Sequence, residues 1–246
     1  MRCLVALTFL VACAAPPQFP QKPLPELVSA VPPTKPLSIT NLMLVPGESL
    51  IWSVHWKGIT VGRAELNVTE QNVRSRFTTD TLVSTVVSIQ YDLDTVLDRP
   101  AARALAATEK LVFDGETKQV GETFDGASYA IDGRSFELPG GNSGQTIHTA
   151  LGALRAWAAP DARPGFLFIV HAGQLYRVDV TRPVAEELQG TKTLRVECRI
   201  HPQDGKLEPF AVTTWLTDDP KRTPIRLEII NADAHITAEL LDTTVG

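Results

Sequence analysis

SLIWSVHW, residues 49–56, sets Leu50, Trp52, Val54 and Trp56 on one side of an extended chain and Ile51, Ser53 and His55 on the other. Successive side chains of a strand leave opposite faces, so this alternation predicts a β-strand with one buried face. After a glycine-flanked connection, KGITVG, the same pattern resumes. Gly62, Ala64, Leu66 and Val68 alternate with Arg63, Glu65 and Asn67, which is a hairpin signal.

The pattern recurs in the second half. LRVECRIH places Leu194, Val196, Cys198 and Ile200 inward and Arg195, Glu197, Arg199 and His201 outward, so Cys198 is expected to be a buried apolar filler. YRVDV turns Tyr176, Val178 and Val180 to the same side, and TAELLDT near the end alternates too. DDPKRT, between TTWLT and PIRLEII, is a charged turn suited to reversing the chain, with Asp218 and Asp219 expected to form it and pair with Arg222.

One segment follows another period. Ile147, Ala150, Leu151, Leu154 and Trp157 recur at helical spacing, after the glycine-rich PGGNSG and before Pro160, predicting one amphipathic helix over 146–159. TLVSTVVSIQY, residues 81–91, reads as a helical turn or as a strand. The fold class is mainly β: an antiparallel meander forming a curved half-barrel or a closed barrel, with one packed or covering helix.

The chain opens differently. Arg2 precedes an apolar run from Cys3 to Ala12, the layout of an export signal, and too short for the about 20 apolar residues that span a bilayer. Leu10, Val11, Ala12 and Cys13 resemble the lipobox of bacterial lipoproteins. That resemblance implies cleavage between Ala12 and Cys13 and acylation of Cys13, since two or more acyl chains anchor a protein stably. The alternative is an ordinary secretory signal cut at an A-x-A site. Pro16, Pro17, Pro20, Pro23, Pro25, Pro32, Pro33 and Pro36 then make residues 13–40 an extended spacer, leaving 41–246 as one β domain. The expected location is the bacterial envelope, facing the periplasm. The outer membrane is favoured, because Ala14 stands where an inner-membrane retention aspartate would be.

Composition narrows the classes of function. At 43% hydrophobic and 21% charged residues, the 246-residue chain has material for a buried core, and a net charge of -5 without a basic block gives nucleic acid nothing to bind. With Cys3 in the signal and Cys13 at the anchor, Cys198 has no partner for an internal disulfide.

Chemical motifs are sparse. His55, His148, His171, His201 and His235 show no metal-ligand spacing, so no metal or cofactor is expected; His55, His201 and His235 fall on polar strand faces. YDLDTVLD starts like a calcium loop at Asp92 and Asp94 but has Leu97 where the loop needs glycine, so a strand end or helix cap is expected. PGGNSGQT has Gln145 in place of a phosphate-loop lysine, and Ser143 lacks the hydrolase frame. No catalytic residue is assigned.

Three blocks together resemble an exported bacterial family, domain of unknown function 3108. They are Trp56, Gly58, Gly62, Ala64 and Leu66; Ala150, Leu151, Leu154 and Arg155; and Trp215, Thr217, Asp218, Asp219, Arg222 and Pro224. The resemblance runs from about Glu48 to Leu241 and implies a fold and a compartment, with no established activity. The helix departs from that family's aspartate–proline entry and aromatic pair, with His148, Thr149, Gly152 and Ala153 there. If the helix lines a cavity, those small residues enlarge it. The resulting expectation is a non-enzymatic binding module for a lipid-like or other hydrophobic ligand, with Trp52, Trp56, Leu151, Leu154 and Trp215 as cavity lining. The alternative is a scaffold acting through its outer surface on a protein partner; tryptophans, including Trp157, also serve as core.

Overall fold

The computed structural model describes residues 32–204, 208–232 and 234–245. The expected signal segment, Cys13 and the first part of the proline-rich stretch lie outside the described residues. Among those described, sixteen strands form one sheet: β1 (Glu48–Trp56), β2 (Ile59–Val68), β3 (Asn72–Thr79), β4 (Ile89–Asp98), β5 (Arg103–Phe113), β6 (Glu116–Asp125), β7 (Ser128–Ile131), β8 (Arg134–Glu137), β9 (Gly144–Gln145), β10 (Gly165–His171), β11 (Gln174–Val180), β12 (Val184–Leu188), β13 (Thr191–Pro202), β14 (Phe210–Thr217), β15 (Pro224–Ile230) and β16 (His235–Val245). The order is β8-β7-β6-β5-β4-β3-β2-β1-β16-β15-β14-β13-β11-β10-β9, with β12 on β13.

The meander is antiparallel throughout its named strands except where β9 runs parallel to β10. The first and last long strands meet in the middle, Trp52 opposite Leu240 and Val54 opposite Ala238. Because β8 and β9 end the order without pairing each other, the sheet is a curved half-barrel and not a closed one.

The opening hairpin forms as its sequence dictates. Leu50 faces Leu66, Trp52 faces Ala64 and Val54 faces Gly62 across the ladder. Lys57 and Gly58 make the turn at φ 50° and 83°, the double positive φ that a two-residue hairpin loop demands. Leu194, Val196, Cys198 and Ile200 are buried with Tyr176, Val178 and Val180 in one apolar cluster, as their alternation requires.

A second cluster shows how far the sheet curls. Phe166, Phe168 and Val170 of β10 pack on Leu93, Ala104, Ala107, Phe124 and Tyr129, so β10 lies against the inner face of β4–β7. The outer edge of β10 is covered by β9 and by the chain entering the domain. Leu37 N donates to Phe166 O at 2.7 Å and Phe166 N to Lys35 O at 3.1 Å, while Arg177 Nη2 donates to Pro33 O at 2.6 Å. The spacer expected to reach residue 40 is thus already docked from Pro33 onward. The Lys35 carbonyl and the Leu37 amide satisfy an edge strand that would otherwise stay open.

Two α-helices accompany the sheet among the described residues. Residues 81–91 contain both elements that their sequence allowed, a single turn α1 (Thr81–Ser84) and then β4. Helix α2 (Ile147–Trp157) starts at Thr146, whose side chain accepts from Thr149 N while Thr149 Oγ1 accepts from Thr146 N, a reciprocal capping box. It packs on the incoming chain, where Met43 N donates to Gly152 O at 3.0 Å. Asp92 and Asp94, expected at a strand end or cap, stand mid-strand on the outer face of β4, paired with Arg76 and Arg74 of β3 at 2.6 Å each. Cross-strand opposite charges account for that run better than a cap does.

Candidate functional site

The concave face of the first half of the sheet is apolar, yet it carries inward-pointing polar groups. On β3, Ser75 lies between the buried Val73 and Phe77; on β4, Tyr91 and Thr95 flank Leu93; on β5 and β6, Glu109 lies between Ala107 and Leu111 and Glu122 between Val120 and Phe124. Helix α2 adds His148, 1% exposed, and the end of β10 adds His171, also 1% exposed.

These groups form two hydrogen-bonded sets. In the first, His148 Nδ1 is 2.9 Å from Thr95 Oγ1 and Nε2 is 2.8 Å from Ser75 Oγ. Thr95 donates its hydroxyl to Thr146 Oγ1, so it meets His148 as acceptor. The ring proton therefore sits on Nδ1, and Ser75 donates to the lone pair on Nε2. The order hydroxyl, imidazole, oxygen resembles an acyl-transfer relay, but a threonine occupies the carboxylate's place. Burial pushes the His148 pKa down to about 3, so the ring is a weak base for Ser75 near neutrality.

In the second set, Tyr91 donates to Glu109 Oε2 at 2.7 Å, and His171 Nδ1 and Ala172 N lie 2.9 and 2.8 Å from Glu109 Oε1. Glu122 Oε1 accepts from Gly173 N at 3.1 Å. Two side-chain carboxylates thus tie the β10–β11 turn to β5 and β6. Burial opposes the Glu109 charge, but His171, the Ala172 amide and the Tyr91 hydroxyl together hold its pKa below the usual range. Glu122 goes the other way, to about 7, through burial first and then the Glu109 charge. Burial and Glu109 also raise Tyr91 well above 10.

Beside this polar strip the inner face keeps apolar surface within reach of solvent. Trp56, Ala64, Leu151, Leu227, Ile229, Ala238 and Leu240 belong to the two clusters of the concave face and all stay partly exposed, as do Ser75 and Tyr91. At the α1 end the rim carries Ile59, Leu82 and Val86, which are 66%, 86% and 82% exposed.

The five residues expected to line a cavity separate. Trp52 and Leu151 meet in one concave-face cluster, Trp52 donating Nε1 to Pro224 O at 2.9 Å, and Trp56 sits towards the α1 end. Leu154 is buried in the core of the second half. Trp215 points out of the other sheet face, bonded to Glu186 and covered by the Arg226 guanidinium, because Thr214 and Leu216 take the inward positions of β14. The small helix residues do not widen a cavity. His148 fills its position with hydrogen bonds, and a Cβ on Gly152 would come 2.7 Å from Leu44 Cγ. The chain 42–44 occupies that space.

Outer-face histidines behave as their strands predict: His55 meets Thr60, His201 meets Asp179 and His235 meets Glu228. Asp218 receives Arg222, and Asp219 accepts from the amides of Lys221 and Arg222, so both acids build the turn. Ser75, His148, Glu109, Glu122 and His171 were missed. The signal for the two glutamates was a charge at an apolar register position of ALAATEKLVF and ETKQVGETFD.

Comparisons with known proteins bear on the fold. No family model and no curated protein matches the chain. Among solved structures, a beta-barrel-like protein of domain of unknown function DUF1849 from Brucella abortus has a TM-score of 0.58 at 12% identity, covering 82% of this chain and 98% of that one. The chain therefore shares a β-barrel-like fold with it. A DUF1089 family protein from Pseudomonas aeruginosa, TM-score 0.36 at 12% identity, covers 69% of this chain and 90% of that one. LprF from Mycobacterium bovis, TM-score 0.26 at 16% identity, covers 82% and 87%. At those scores neither structure carries an argument.

Proposed function

We propose that this protein is a lipid-anchored envelope lipoprotein, a non-enzymatic module that holds a hydrophobic or lipid-like molecule against its concave sheet. The observation that carries the reading is the apolar surface left open on the inside of the sheet. Ala64, Leu227, Ile229, Ala238 and Leu240 face inward yet remain partly exposed, whereas the inward residues of β13 are sealed. Accessible apolar area of that kind is stabilised by an apolar guest, at about 25 cal/mol per Å² removed from water. Attachment through Cys13 places the module at a membrane facing the periplasm, with the outer membrane favoured by Ala14. Kinship with domain of unknown function 3108 goes with the same reading.

The test is direct. Protein purified from membranes with mild detergent is extracted and its lipids identified by mass spectrometry, and the soluble domain is titrated with a solvatochromic hydrophobic dye. Dye binding that Ala238→Phe abolishes while leaving the far-UV spectrum unchanged supports the module. No co-purified lipid and no dye binding would discard it and leave a scaffold acting through its surface.

A further inference from the structure

Resting on that reading, we infer that the concave face carries a head-group subsite at Ser75, with Tyr91 beside it, which selects a ligand whose polar end donates hydrogen bonds and carries no negative charge: a long-chain alcohol, an acylglycerol hydroxyl or an amine. Ser75 and Tyr91 lie on the inward face of adjacent strands, one diagonal step apart, since Ser75 pairs with Leu93 and Phe77 with Tyr91. Both are partly exposed, whereas the other polar groups of that face, Thr95, Glu109, Glu122, His148 and His171, are buried.

Their hydroxyl protons are already committed. Ser75 donates to His148 Nε2 at 2.8 Å, a direction fixed by the chain of donors running from His148 Nδ1 through Thr95 to Thr146. Tyr91 donates to Glu109 Oε2 at 2.7 Å. What the Ser75 oxygen has left for a ligand is therefore lone pairs, as is what remains of the Tyr91 oxygen, which His171 Nδ1 also approaches at 3.4 Å, and only a donor satisfies them.

Charge points the same way. The Glu109 carboxylate lies directly behind Tyr91 and is held ionised by its neighbours. Burial keeps His148 neutral, so the ring beside Ser75 supplies no positive charge. Arg155, the guanidinium buried with α2, is taken up by both oxygens of Glu48. A carboxylate or phosphate brought to Ser75 would meet lone pairs, with Arg155 and His171 each already held by a glutamate, in a medium of low dielectric.

A chain-matched panel of a long-chain alcohol, the corresponding amine, carboxylic acid and methyl ester tests this by displacement of the hydrophobic dye at neutral pH. The alcohol and amine should bind roughly three- to tenfold more tightly than the methyl ester, the worth of one neutral hydrogen bond, with the acid weakest. In Ser75→Ala, alcohol and ester should converge. An acid that binds as tightly as the alcohol, or a ranking unchanged in Ser75→Ala, overturns the inference while the dye itself still binds. Failure of dye and panel alike removes the cavity reading, and this inference falls with it. The panel on the unmodified protein decides the matter even if the variant does not fold.

Discussion

Arg155 and Glu48 meet end to end, Nη1 on Oε2 and Nη2 on Oε1 at 2.7 Å each, with both side chains almost wholly sealed from water. Two of the three remaining donors of Arg155 go to the carbonyls of Arg222 and Lys221. One guanidinium thus ties α2, the start of β1 and the β14–β15 turn, segments that are 107 and 66 residues apart in sequence. A fully bonded buried pair adds little over an apolar replacement, but a buried charge left alone is costly. Arg155→Ala and Glu48→Ala should each lose about 3–5 kcal/mol of unfolding free energy in urea titrations, whereas Arg155→Leu combined with Glu48→Met should lose much less than their sum. Additive losses would mean that the pair is not coupled.

Glu122 makes stability depend on pH in the unusual direction for an acid. Its pKa rises from 4.5 to about 7 on folding, so between those values the folded state holds a proton that the unfolded chain has released. Its contribution is neutral below pH 4.5, becomes unfavourable as pH rises and levels off above pH 7, at about 3 kcal/mol at most. Glu109, whose pKa is lowered, loses its contribution as pH falls below 4.5. Glu122→Gln keeps an oxygen for Gly173 N and removes the titration. Relative to the parent protein, its melting temperature should climb between pH 4.5 and 7 and hold steady beyond. A difference that stays flat across that range would place the titration elsewhere.

These two clusters mark the limit of what the sequence makes legible. The meander was readable because SLIWSVHW and LRVECRIH have one polar and one apolar face, and period two fixes which residues are buried. The helix was readable from its period and from Pro160. Whether the sheet closes was not, since closure depends on how β10 meets β4–β7, a contact between residues far apart in the chain. The candidate site was hidden for the same reason. Ser75 and His148 lie 73 positions apart, and each alone looks like an ordinary polar residue. Glu109 and Glu122 were visible as charges at apolar positions, but their partners come from the β10–β11 turn. Trp215, expected to line a cavity, went astray because it was grouped with the inward tryptophans by residue type, while strand parity gives its neighbours Thr214 and Leu216 the inner face.

Gly152 offers a test of the strap formed by residues 42–44. On an exposed helix, glycine to alanine stabilises by about 1 kcal/mol. Here the added methyl would lie 2.7 Å from Leu44 Cγ, and Leu44 is 1% exposed and so has no room to retreat. Crowding of this kind costs typically 1–3 kcal/mol. Gly152→Ala should therefore lower the urea midpoint, and Gly152→Ala with Leu44→Ala should recover part of the helix-propensity gain. A more stable single variant would mean that the strap yields freely.

The cysteines separate the proposed anchor from the core. Cys198 is 4% exposed among Tyr176, Val178 and Val196, and burial raises its thiol to about 12, so it has neither access nor thiolate to react. In the native protein a maleimide should leave Cys198 unmodified until denaturant is added. Radiolabelled palmitate fed to cells should appear on this protein through Cys13 alone. Cys13→Ser should then lose the label and move the protein from the membrane to the soluble fraction, while Cys198→Ala should keep both label and location. Persistence of label in Cys13→Ser would return the segment before it to an ordinary secretory signal and separate the domain from any acyl anchor there.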